Sequence, residues 1–428
     1  MTKINTVAVI GLGYIGLPTA AILATNGIDV IGVDVNQRTI DAVNAGQVPF
    51  VEPDLGIHVA GAVSTGKLKA TRDTPSADAY IVAVPTPFNA DRSADLRYIE
   101  SAARGIAPQL QGDELIILES TSPPGATEHL GDVLLELRPD LSLDGENGLP
   151  RILLAHCPER VLPGRVMIEL VTNDRIVGGI TPEAAARARD LYGVFCQGEI
   201  LLTDAKTAEM AKLVENSYRD VNIAFANELS MISDSLDIDV WELIRLANHH
   251  PRVNILQPGP GVGGHCIAVD PWFIVSAAPQ AANLIKQARL TNDSKPAWVR
   301  NRIQEVLNEL PSSAEIAVLG LAFKANIDDL RESPAVEIAA ALAQSLPNRR
   351  LNIAEPNVEE LPSQFRDMPN VELFPVNEAV SRSDLVVVLV DHDEVKSIDP
   401  LLLKGKRVLD TKGILPASKT AQFVNSPV

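Results

Sequence analysis

The chain has 428 residues, which at about 150 residues per domain corresponds to about three folded units. Hydrophobic residues make up 46% of it and charged residues 21%, a composition that excludes a disordered or fibrous protein. Its 37 basic and 55 acidic side chains leave a formal net charge of −18, which repels phosphate backbones and anionic lipids. We therefore expect neither nucleic acid nor membrane as a partner, although a few local Arg and Lys residues can still hold a small anionic substrate.

The N-terminus and the cysteines predict a cellular compartment. Glycines interrupt the first apolar stretch within a few residues, so the layout of a signal peptide is missing. The apolar runs are far shorter than the ~20 residues needed to span a bilayer. Three scattered cysteines are too few for a disulfide framework or a CxxC zinc site, and the histidines lack the spacing of metal ligands. These observations predict a soluble protein of the reducing cytoplasm that holds no metal.

The first 200 or so residues alternate buried strands with helices. Apolar runs predict strands over 6–10 and 29–33, with an alanine-rich helix from about Leu17 to Asn26 between them. Because strands this apolar are covered on both faces, the pattern indicates a parallel sheet between helices. Further elements are expected in the same domain: strands at Ala79–Val84, Leu115–Leu118, Ile152–Ala155 and Arg175–Val177, and helices around 95–108 and 182–196.

A long helix is predicted after this domain. From Ala205 to about Ser235 the chain has no Gly or Pro, and helix-forming residues recur at helical spacing. A shorter helix is expected at Val240–Ala247, then a Gly/Pro-rich loop at 257–264 and more helix over about 271–310. We expect two copies of the chain to pair through this helical layer, as a homodimer or a higher homo-oligomer.

The last part of the chain repeats the first. The segment AVIGLGY at 8–14 recurs as AVLGLAF at 317–323, and later segments match in the same order. We therefore expect a second, degenerate nucleotide-type domain, in which Ala322 replaces Gly13 and keeps a pyrophosphate at a greater distance. The predicted α/β architecture has two Rossmann-like, doubly wound parallel-sheet domains, joined by a long central helix and a helical layer. The expected boundaries are 1–203, 204–312 and 313–428.

A glycine motif between the first strand and the first helix predicts the cofactor. Gly11, Gly13 and Gly16 form a GxGxxG pattern, in which they allow a tight turn, close approach of a pyrophosphate and close helix packing. Asp34 ends the second strand about 20 residues further on. An acid there binds a ribose 2′-hydroxyl and repels a 2′-phosphate, so NAD is expected rather than NADP.

Other candidate residues follow strand ends or lie on the long helix. Pro85, Thr86 and Thr121 come directly after predicted strands, where ligands bind in open α/β sheets. Lys212 and Asn216 are four residues apart and share a helix face, from which they can stabilise developing oxyanion charge. A solvated surface lysine is the alternative interpretation of Lys212. We interpret three neighbouring charged residues as surface or interface groups: Glu209, Glu215 and Arg219.

The loop over 258–270 is the most informative segment. Its dense glycines let a backbone wrap closely around a ligand, and Cys266 follows them as a thiol nucleophile would, with Asp270 one helical turn later. Glu159, after the fifth predicted strand, is placed where a general base can work, with a salt bridge to an arginine as the alternative. Cys157 and Cys196 are interpreted as structural.

Together these motifs resemble those of the UDP-glucose/GDP-mannose dehydrogenase family over essentially the whole chain. Besides the Lys212/Asn216 helix, the matching segments are GLGYIGLP at 11–18, STSP at 120–123, CPER at 157–160, GVGGHC at 261–266 and FKANIDDLRESP at 323–334. The resemblance implies an NAD-dependent enzyme that oxidises the C6 alcohol of a nucleotide sugar to a carboxylate in two steps, with UDP held by the C-terminal domain. Residues 215–230 and 250–272 are most similar to members acting on UDP-N-acetyl-D-mannosamine, while UDP-N-acetylglucosamine and UDP-glucose stay open.

The resemblance also implies roles for individual residues. Lys212 and Asn216 stabilise the oxyanion, and Cys266 captures the aldehyde and is then oxidised with it to a thioester. Glu159 is the base for the later steps, with Thr121 and Asp270 ordering the water. Cofactor contacts are implied for Gly11, Gly13, Tyr14, Ile15, Gly16, Asp34, Pro85, Thr86, Thr121 and Arg331. Substrate contacts are implied for Glu159, Arg160, Lys212, Asn216, Gly263, Lys324 and Arg252, the last toward a neighbouring subunit.

Two other interpretations stay open. A two-electron NAD-dependent hydroxyacid dehydrogenase also combines a Rossmann domain with a helix bearing Lys and Asn. It would not need Cys266, and it leaves the repeated C-terminal domain unexplained. A non-enzymatic, NAD-binding regulatory protein would leave Cys266, Lys212 and Asn216 without a role.

Overall fold

The computed structural model describes residues 3–145, 148–162, 164–264 and 266–415; His265 and residues 416–428 lie outside these ranges. The chain divides into two compact units, Met1–Glu215 with Ser276–Pro279 and Asn216–Val275 with Gln280–Val428. No helix among the described residues is long and apolar enough to cross a membrane. Across the same ranges, no group of three or more His, Cys, Asp or Glu side chains could hold a metal ion.

An eight-stranded sheet forms the centre of the first unit. In chain order its strands are β1 (Thr6–Ile10), β2 (Asp29–Val33), β3 (Leu68–Thr71), β4 (Ala79–Val82), β5 (Leu115–Leu118), β6 (Leu153–His156), β7 (Arg175–Gly179) and β8 (Ile200–Asp204). Their spatial order is 3-2-1-4-5-6-7-8, and all neighbours pair in parallel except β6 and β7, which are antiparallel. The order reverses between β1 and β4, the position at which open α/β sheets bind ligands.

Helices cover both faces of this sheet. They are α1 (Gly16–Thr25), α2 (Gln37–Asn44), α3 (Leu55–Ser64), α4 (Arg97–Ile106), α5 (Ala126–Leu137), α6 (Val166–Thr172) and α7 (Pro182–Tyr192). Successive residues of β1 alternate between the hydrophobic cores on the two faces of the sheet. Val7 and Val9 lie in the core that contains α1, whereas Ala8 and Ile10 lie in the core that contains α4 and α5. Burial on both faces is the reason these strands are continuously apolar in sequence.

The sequence did not predict two strands of this sheet. β3 and β8 are the edge strands, each with one neighbour, and two residues of β8, Leu201 and Leu202, are exposed. Edge strands need not be apolar on both faces, so the run that marks the central strands is missing. The predicted strand at Ala79–Val84 also ends two residues early, at Val82, shortly before Pro85.

The long helix α8 spans Ala205–Ser235 and α9 spans Val240–Ala247, as predicted. The further helix expected over about 271–310 consists of two helices, α10 (Asp270–Ala277) and α11 (Asn283–Asn308). Pro279 lies in the interruption, and the residue before a proline is disfavoured in helical conformation.

The second unit contains a five-stranded parallel sheet. Its strands are β9 (Ile316–Leu319), β10 (Leu351–Ala354), β11 (Val371–Leu373), β12 (Leu385–Val388) and β13 (Arg407–Asp410), in the order 11-10-9-12-13. Helices α12 (Pro334–Ser345), α13 (Val376–Arg382) and α14 (Asp393–Lys396) accompany it. The order repeats that of β3-β2-β1-β4-β5, and Gly320 N donates to Ala354 O just as Gly11 N donates to Val33 O, both at 2.8 Å. The predicted repeat of two Rossmann-like domains is confirmed.

Candidate active site

The turn between β1 and α1 leaves room for a ligand at one of its three glycines. Gly11 has φ +95°, and a side chain there would meet Ala83 O at 2.5 Å. A Cβ at Gly16 would meet Gly11 O at 1.9 Å, whereas a Cβ at Gly13 would meet nothing within 4 Å. Packing of the fold therefore explains the first and third glycines only. The second keeps backbone open to a ligand, as the pyrophosphate of a dinucleotide requires.

Asp34 is held beside this turn by two backbone groups. Its Oδ2 accepts from Leu12 N at 2.9 Å and its Oδ1 accepts from Asn36 N at 2.8 Å. An acid at the end of the second strand is the group that contacts a ribose in this class of fold. Tyr14 is exposed, with its ring stacked on Phe50, and Ile15 is the N-cap of α1. The residues present therefore fit a dinucleotide.

The segments that follow β4 and β5 are tied together. Thr86 Oγ1 donates to Thr121 O at 2.5 Å, and Ser120 Oγ donates to Val84 O at 2.6 Å. Because β4 and β5 are parallel neighbours, both segments emerge at the same edge of the sheet as the glycine turn. The structure thus brings Pro85, Thr86 and Thr121 to one edge.

Glu159 follows β6 and forms a buried salt bridge. It is 8% exposed, and its Oε2 lies 3.2 Å from Nη2 of Arg175 on β7. Its Oε1 accepts from Arg160 N at 2.6 Å. The salt bridge offered as the alternative interpretation is present, and it holds the Glu159 carboxylate in one orientation.

A second buried carboxyl lies near this pair. Glu119 directly follows β5, is 1% exposed, and accepts hydrogen bonds from Thr19 Oγ1 at 3.1 Å and Tyr192 Oη at 3.0 Å. Burial, assisted by the charge of Glu159, raises the pKa of Glu119 to about 8. Arg175 supplies one positive charge near two carboxyl groups, and at neutral pH the more deeply buried Glu119 holds a proton.

The interpretation of Glu209 as a surface or interface charge is wrong, because its carboxylate is buried within the chain. This residue of α8 is 1% exposed, and its carboxylate accepts hydrogen bonds from Gly125 N, Thr127 N and Thr127 Oγ1 at 2.6, 2.7 and 2.6 Å. α5 has Gly125 as its N-cap residue, which has no side chain to satisfy the first N–H groups, so a carboxylate from another helix does so. Glu215 is partly exposed and pairs with Arg160 at 2.7 Å.

In the second unit, three predicted residues form one cluster. Cys266 is exposed and lies just before α10, where its carbonyl oxygen accepts from Val269 N and Asp270 N at 3.1 and 2.9 Å. Asp270, the first residue of α10, is 4% exposed, and its Oδ2 accepts from Asn216 Nδ2 at 2.5 Å. Lys212 is half-buried one turn before Asn216 on α8.

The glycines before Cys266 are required by packing within the second unit. A Cβ at any of three of them would come within 2.7 to 3.0 Å of the segment 323–334: Gly261 of Pro334, Gly263 of Glu332 O and Gly264 of the Phe323 ring. Close contact with this segment is a sufficient reason for the glycines, independent of ligand wrapping. The contact joins the cysteine loop to the segment that carries Lys324 and Arg331.

The remaining basic candidates are on the surface of the second unit. Lys324 and Arg252 are exposed. Arg331 is also exposed and forms a salt bridge with Asp329, two residues away, at 2.6 Å. This pairing lowers the pKa of Asp329 through hydrogen bonds from Arg331.

The glycine turn of the repeated domain is closed. Glu355, which corresponds to Asp34, accepts from Leu321 N and Ala322 N at 2.7 and 2.9 Å, and its Oε2 lies 3.0 Å from Nε2 of buried His392. Ala322 itself is 1% exposed. Glu355 is 3% exposed and contacts His392, whereas Asp34 is only partly buried, which supports a nucleotide-binding mode different from that of the first domain.

Sequence reasoning missed Glu119, Arg175 and Glu209 as parts of the site. Their partners lie 16 to 100 residues away in the chain, so no local spacing relates them. One signal was available for Glu209: the turn before α5 ends in Gly125, and a helix without its own capping side chain needs an acceptor from elsewhere.

Two nucleotide-type α/β domains and a turn that fits a dinucleotide define a nucleotide-binding α/β protein. Family models extend this: the NAD binding, central and UDP binding domains of the UDP-glucose/GDP-mannose dehydrogenase family match residues 5–196, 206–294 and 317–417. The chain belongs to this family and is an NAD-dependent UDP-sugar dehydrogenase. The predicted resemblance is confirmed.

Individual relatives are similar over nearly their whole length. The chain is 54% identical over 418 residues to the NDP-N-acetyl-D-galactosaminuronic acid dehydrogenase of Ralstonia nicotianae, covering 97% of this chain and 98% of that protein. It is also 54% identical over 418 residues to the UDP-N-acetyl-D-mannosamine dehydrogenase of Yersinia pestis, covering 96% and 99%. Among solved structures, the UDP-D-ManNAc dehydrogenase of Pyrococcus horikoshii superposes with a TM-score of 0.85 at 38% identity over 97% of each chain.

Proposed function

We propose that this enzyme oxidises the C6 hydroxyl of UDP-N-acetyl-D-mannosamine to the carboxylate, a four-electron reaction through a thiohemiacetal and a thioester on Cys266. The observation that carries the proposal is the exposed Cys266 in the turn before α10, beside the Asn216–Asp270 hydrogen bond. A simple two-electron dehydrogenase has no use for such a thiol.

The other two cysteines are poor nucleophiles. Cys157 is fully buried, and burial raises the pKa of its thiol to about 12. Cys196 is half-buried and donates to Asn173 O and Gly198 O. Cys266 is exposed in the turn before α10, so its sulfur is accessible to a substrate carbonyl carbon. A catalytic thiol that must stay reduced also fits the cytoplasmic location predicted from the sequence.

In the first oxidation, the C6 hydroxyl releases its proton to solvent water, and Asn216 and Lys212 stabilise the alkoxide that develops on the C6 oxygen. One Nδ2–H of Asn216 donates to Asp270, which fixes the amide, and the second N–H can donate to the alkoxide. Lys212, one turn away, contributes positive charge. When bound, NAD would accept a hydride in each oxidation. The residues that would hold it are Gly11, Gly13, Tyr14, Ile15, Gly16, Asp34, Pro85, Thr86, Thr121 and Arg331.

In the second half of the reaction, the Cys266 thiolate attacks the aldehyde carbon, and the C–S bond is retained when the adduct is oxidised to a thioester. Water then attacks this carbon, the C–S bond breaks and the thiol is regenerated. Glu159 takes the proton of the water, and the salt bridge to Arg175 orients its carboxylate for this step. Thr121 and Asp270 order the water, while Arg160, Arg252, Gly263 and Lys324 contact the substrate.

The identity of the sugar rests on the relatives and is tested directly. The two relatives named above are equally identical to this chain, and their names specify an N-acetylmannosamine and an N-acetylgalactosamine derivative, so UDP-N-acetylgalactosamine is the second candidate. The experiment measures NADH formed from limiting amounts of each UDP-sugar, with UDP-N-acetylglucosamine and UDP-glucose included. We expect two NADH per UDP-N-acetylmannosamine. Two NADH from another sugar would change the substrate, and one NADH per sugar would contradict the thioester scheme.

We also propose that the chain forms a homodimer or a higher homo-oligomer. On α8, Tyr218, Phe225 and Ile232 are 70, 52 and 46% exposed at seven-residue spacing, which aligns them along one helix face. An exposed apolar stripe of this kind is typical of a helix-pairing surface. Sedimentation velocity is expected to show a dimer or larger species, shifted toward monomer by Phe225→Asp. A monomeric wild type would contradict the proposal.

A further inference from the structure

Side chains in the first three turns of α8 contact the two segments that carry Thr121 and Glu159, residues to which we assign catalytic roles. We propose that Glu209 is a positioning residue: by capping α5, its carboxylate fixes the turn that carries Thr121 to the helix that carries Lys212. The proposal rests on the function proposed above and adds to it a residue that acts only through its neighbours.

The cap uses both oxygens of Glu209. Oε2 accepts from Gly125 N, and Oε1 accepts from both Thr127 N and Thr127 Oγ1, all at 2.6 to 2.7 Å. Glu209 and Thr127 are 1 and 0% exposed, so water does not compete for these donors. The start of α5 is therefore tied to α8 through the buried carboxylate of Glu209.

The turn between β5 and α5 is held at its other end as well. Thr121 O accepts from Thr86 Oγ1 at 2.5 Å, and Ser122 Oγ donates to Ser120 O at 2.8 Å. Thr121 thus lies between an anchor on the sheet edge and the anchor on α8. Loss of the Glu209 anchor lets the turn shift, because a helix start without partners for its N–H groups rearranges to satisfy them.

The spacing on α8 relates this anchor to the other assigned residues of the first unit. Glu209 precedes Lys212 by three residues and Glu215 follows it by three, so each lies about one turn from Lys212 on α8. Glu215 pairs with Arg160, the neighbour of Glu159. Carboxylates of α8 therefore attach both segments assigned to water activation, those of Thr121 and Glu159, to the helix of Lys212.

The test replaces Glu209 by glutamine, which keeps the size of the side chain but has one acceptor oxygen instead of two. Its amide nitrogen must then face an N–H donor, so the turn shifts. We expect kcat to fall about tenfold while KM for UDP-sugar and for NAD stays within about twofold, since misplacement by a fraction of an ångström costs rate more than binding. The matched control is Glu128→Gln, which removes the exposed Glu128–Lys206 pair between the same two helices. Its kcat should stay within about twofold.

Variants of Thr127 separate positioning from stability. Thr127→Val removes one donor to Glu209 and is expected to lower kcat by a smaller factor, combining with Glu209→Gln less than additively. Thr127→Ser keeps the hydroxyl that Thr127→Val removes, so its kcat should stay close to the wild-type value. All rates are measured well below each variant's Tm, and Thr127→Val supplies the test if Glu209→Gln does not fold.

Unchanged kcat in Glu209→Gln and Thr127→Val, or a loss no greater than that of Glu128→Gln, overturns the proposal. Failure of the proposed function is distinguishable, because it appears in the wild type: one NADH per sugar contradicts the thioester scheme whatever the variants of Glu209 do.

Discussion

Replacement of Cys266 by alanine is expected to lower the rate of uronate formation by about a thousandfold or more. Without the thiol, the aldehyde is not held covalently, and the second oxidation loses the adduct on which it acts. The first oxidation does not need the thiol, so the variant should still produce up to one NADH per sugar, slowly, together with aldehyde. Mass spectrometry of the product after trapping with a hydrazine, alongside NADH absorbance, measures both quantities.

Cys196→Ala is the matched control for this substitution. Cys196 is half-buried and hydrogen-bonded to two carbonyl groups, with no assigned part in the chemistry, so its variant should keep kcat within about twofold. Retention of two NADH per sugar at the wild-type rate by Cys266→Ala would contradict the mechanism and favour chemistry that does not use a covalent adduct.

Asn216→Asp is expected to lower kcat by about a hundredfold to a thousandfold. Asn216 Nδ2 donates to Asp270 Oδ2 at 2.5 Å, so the substitution places a second carboxyl group against a buried one. It also removes the N–H assigned to the developing alkoxide. Steady-state kinetics with the preferred UDP-sugar measure the loss, and Asn216→Ala, which removes the donor without adding charge, is the control.

The two variants should differ in their pH dependence. Two adjacent carboxyl groups cannot both ionise freely, so in Asn216→Asp either the introduced carboxyl group or that of Asp270 takes a raised pKa. Below that pKa a shared proton restores a hydrogen bond between the two groups. The activity of Asn216→Asp relative to wild type should therefore be highest near about pH 5.5 and decline toward about pH 8.5. For Asn216→Ala the ratio should be flat, and a flat ratio for both variants would contradict the link between Asn216 and Asp270.

The local sequence pattern was sufficient to predict much of the fold. α8 begins at Ala205 and ends at Ser235 as predicted, because an uninterrupted run of helix-forming residues needs no tertiary information. The central strands were recognisable since burial on both faces makes them continuously apolar. The spacing of Gly11, Gly13 and Gly16 and the repeated segment at 317–323 likewise lie within short stretches of sequence, so the dinucleotide turn and the second domain were predictable.

The charge state and the anchoring of the site depended on the tertiary structure. Glu119 and Glu159 share the single charge of Arg175 because three strands bring them together, and no spacing in the chain encodes that sharing. Glu209 has the sequence context of a surface residue on a helix, yet the start of α5 buries it. The sequence by itself determined which chemical groups this enzyme carries, the elements that hold them and its family. Only the tertiary structure decided which groups are desolvated and which donors they accept, because burial and hydrogen bonding depend on residues distant in the chain.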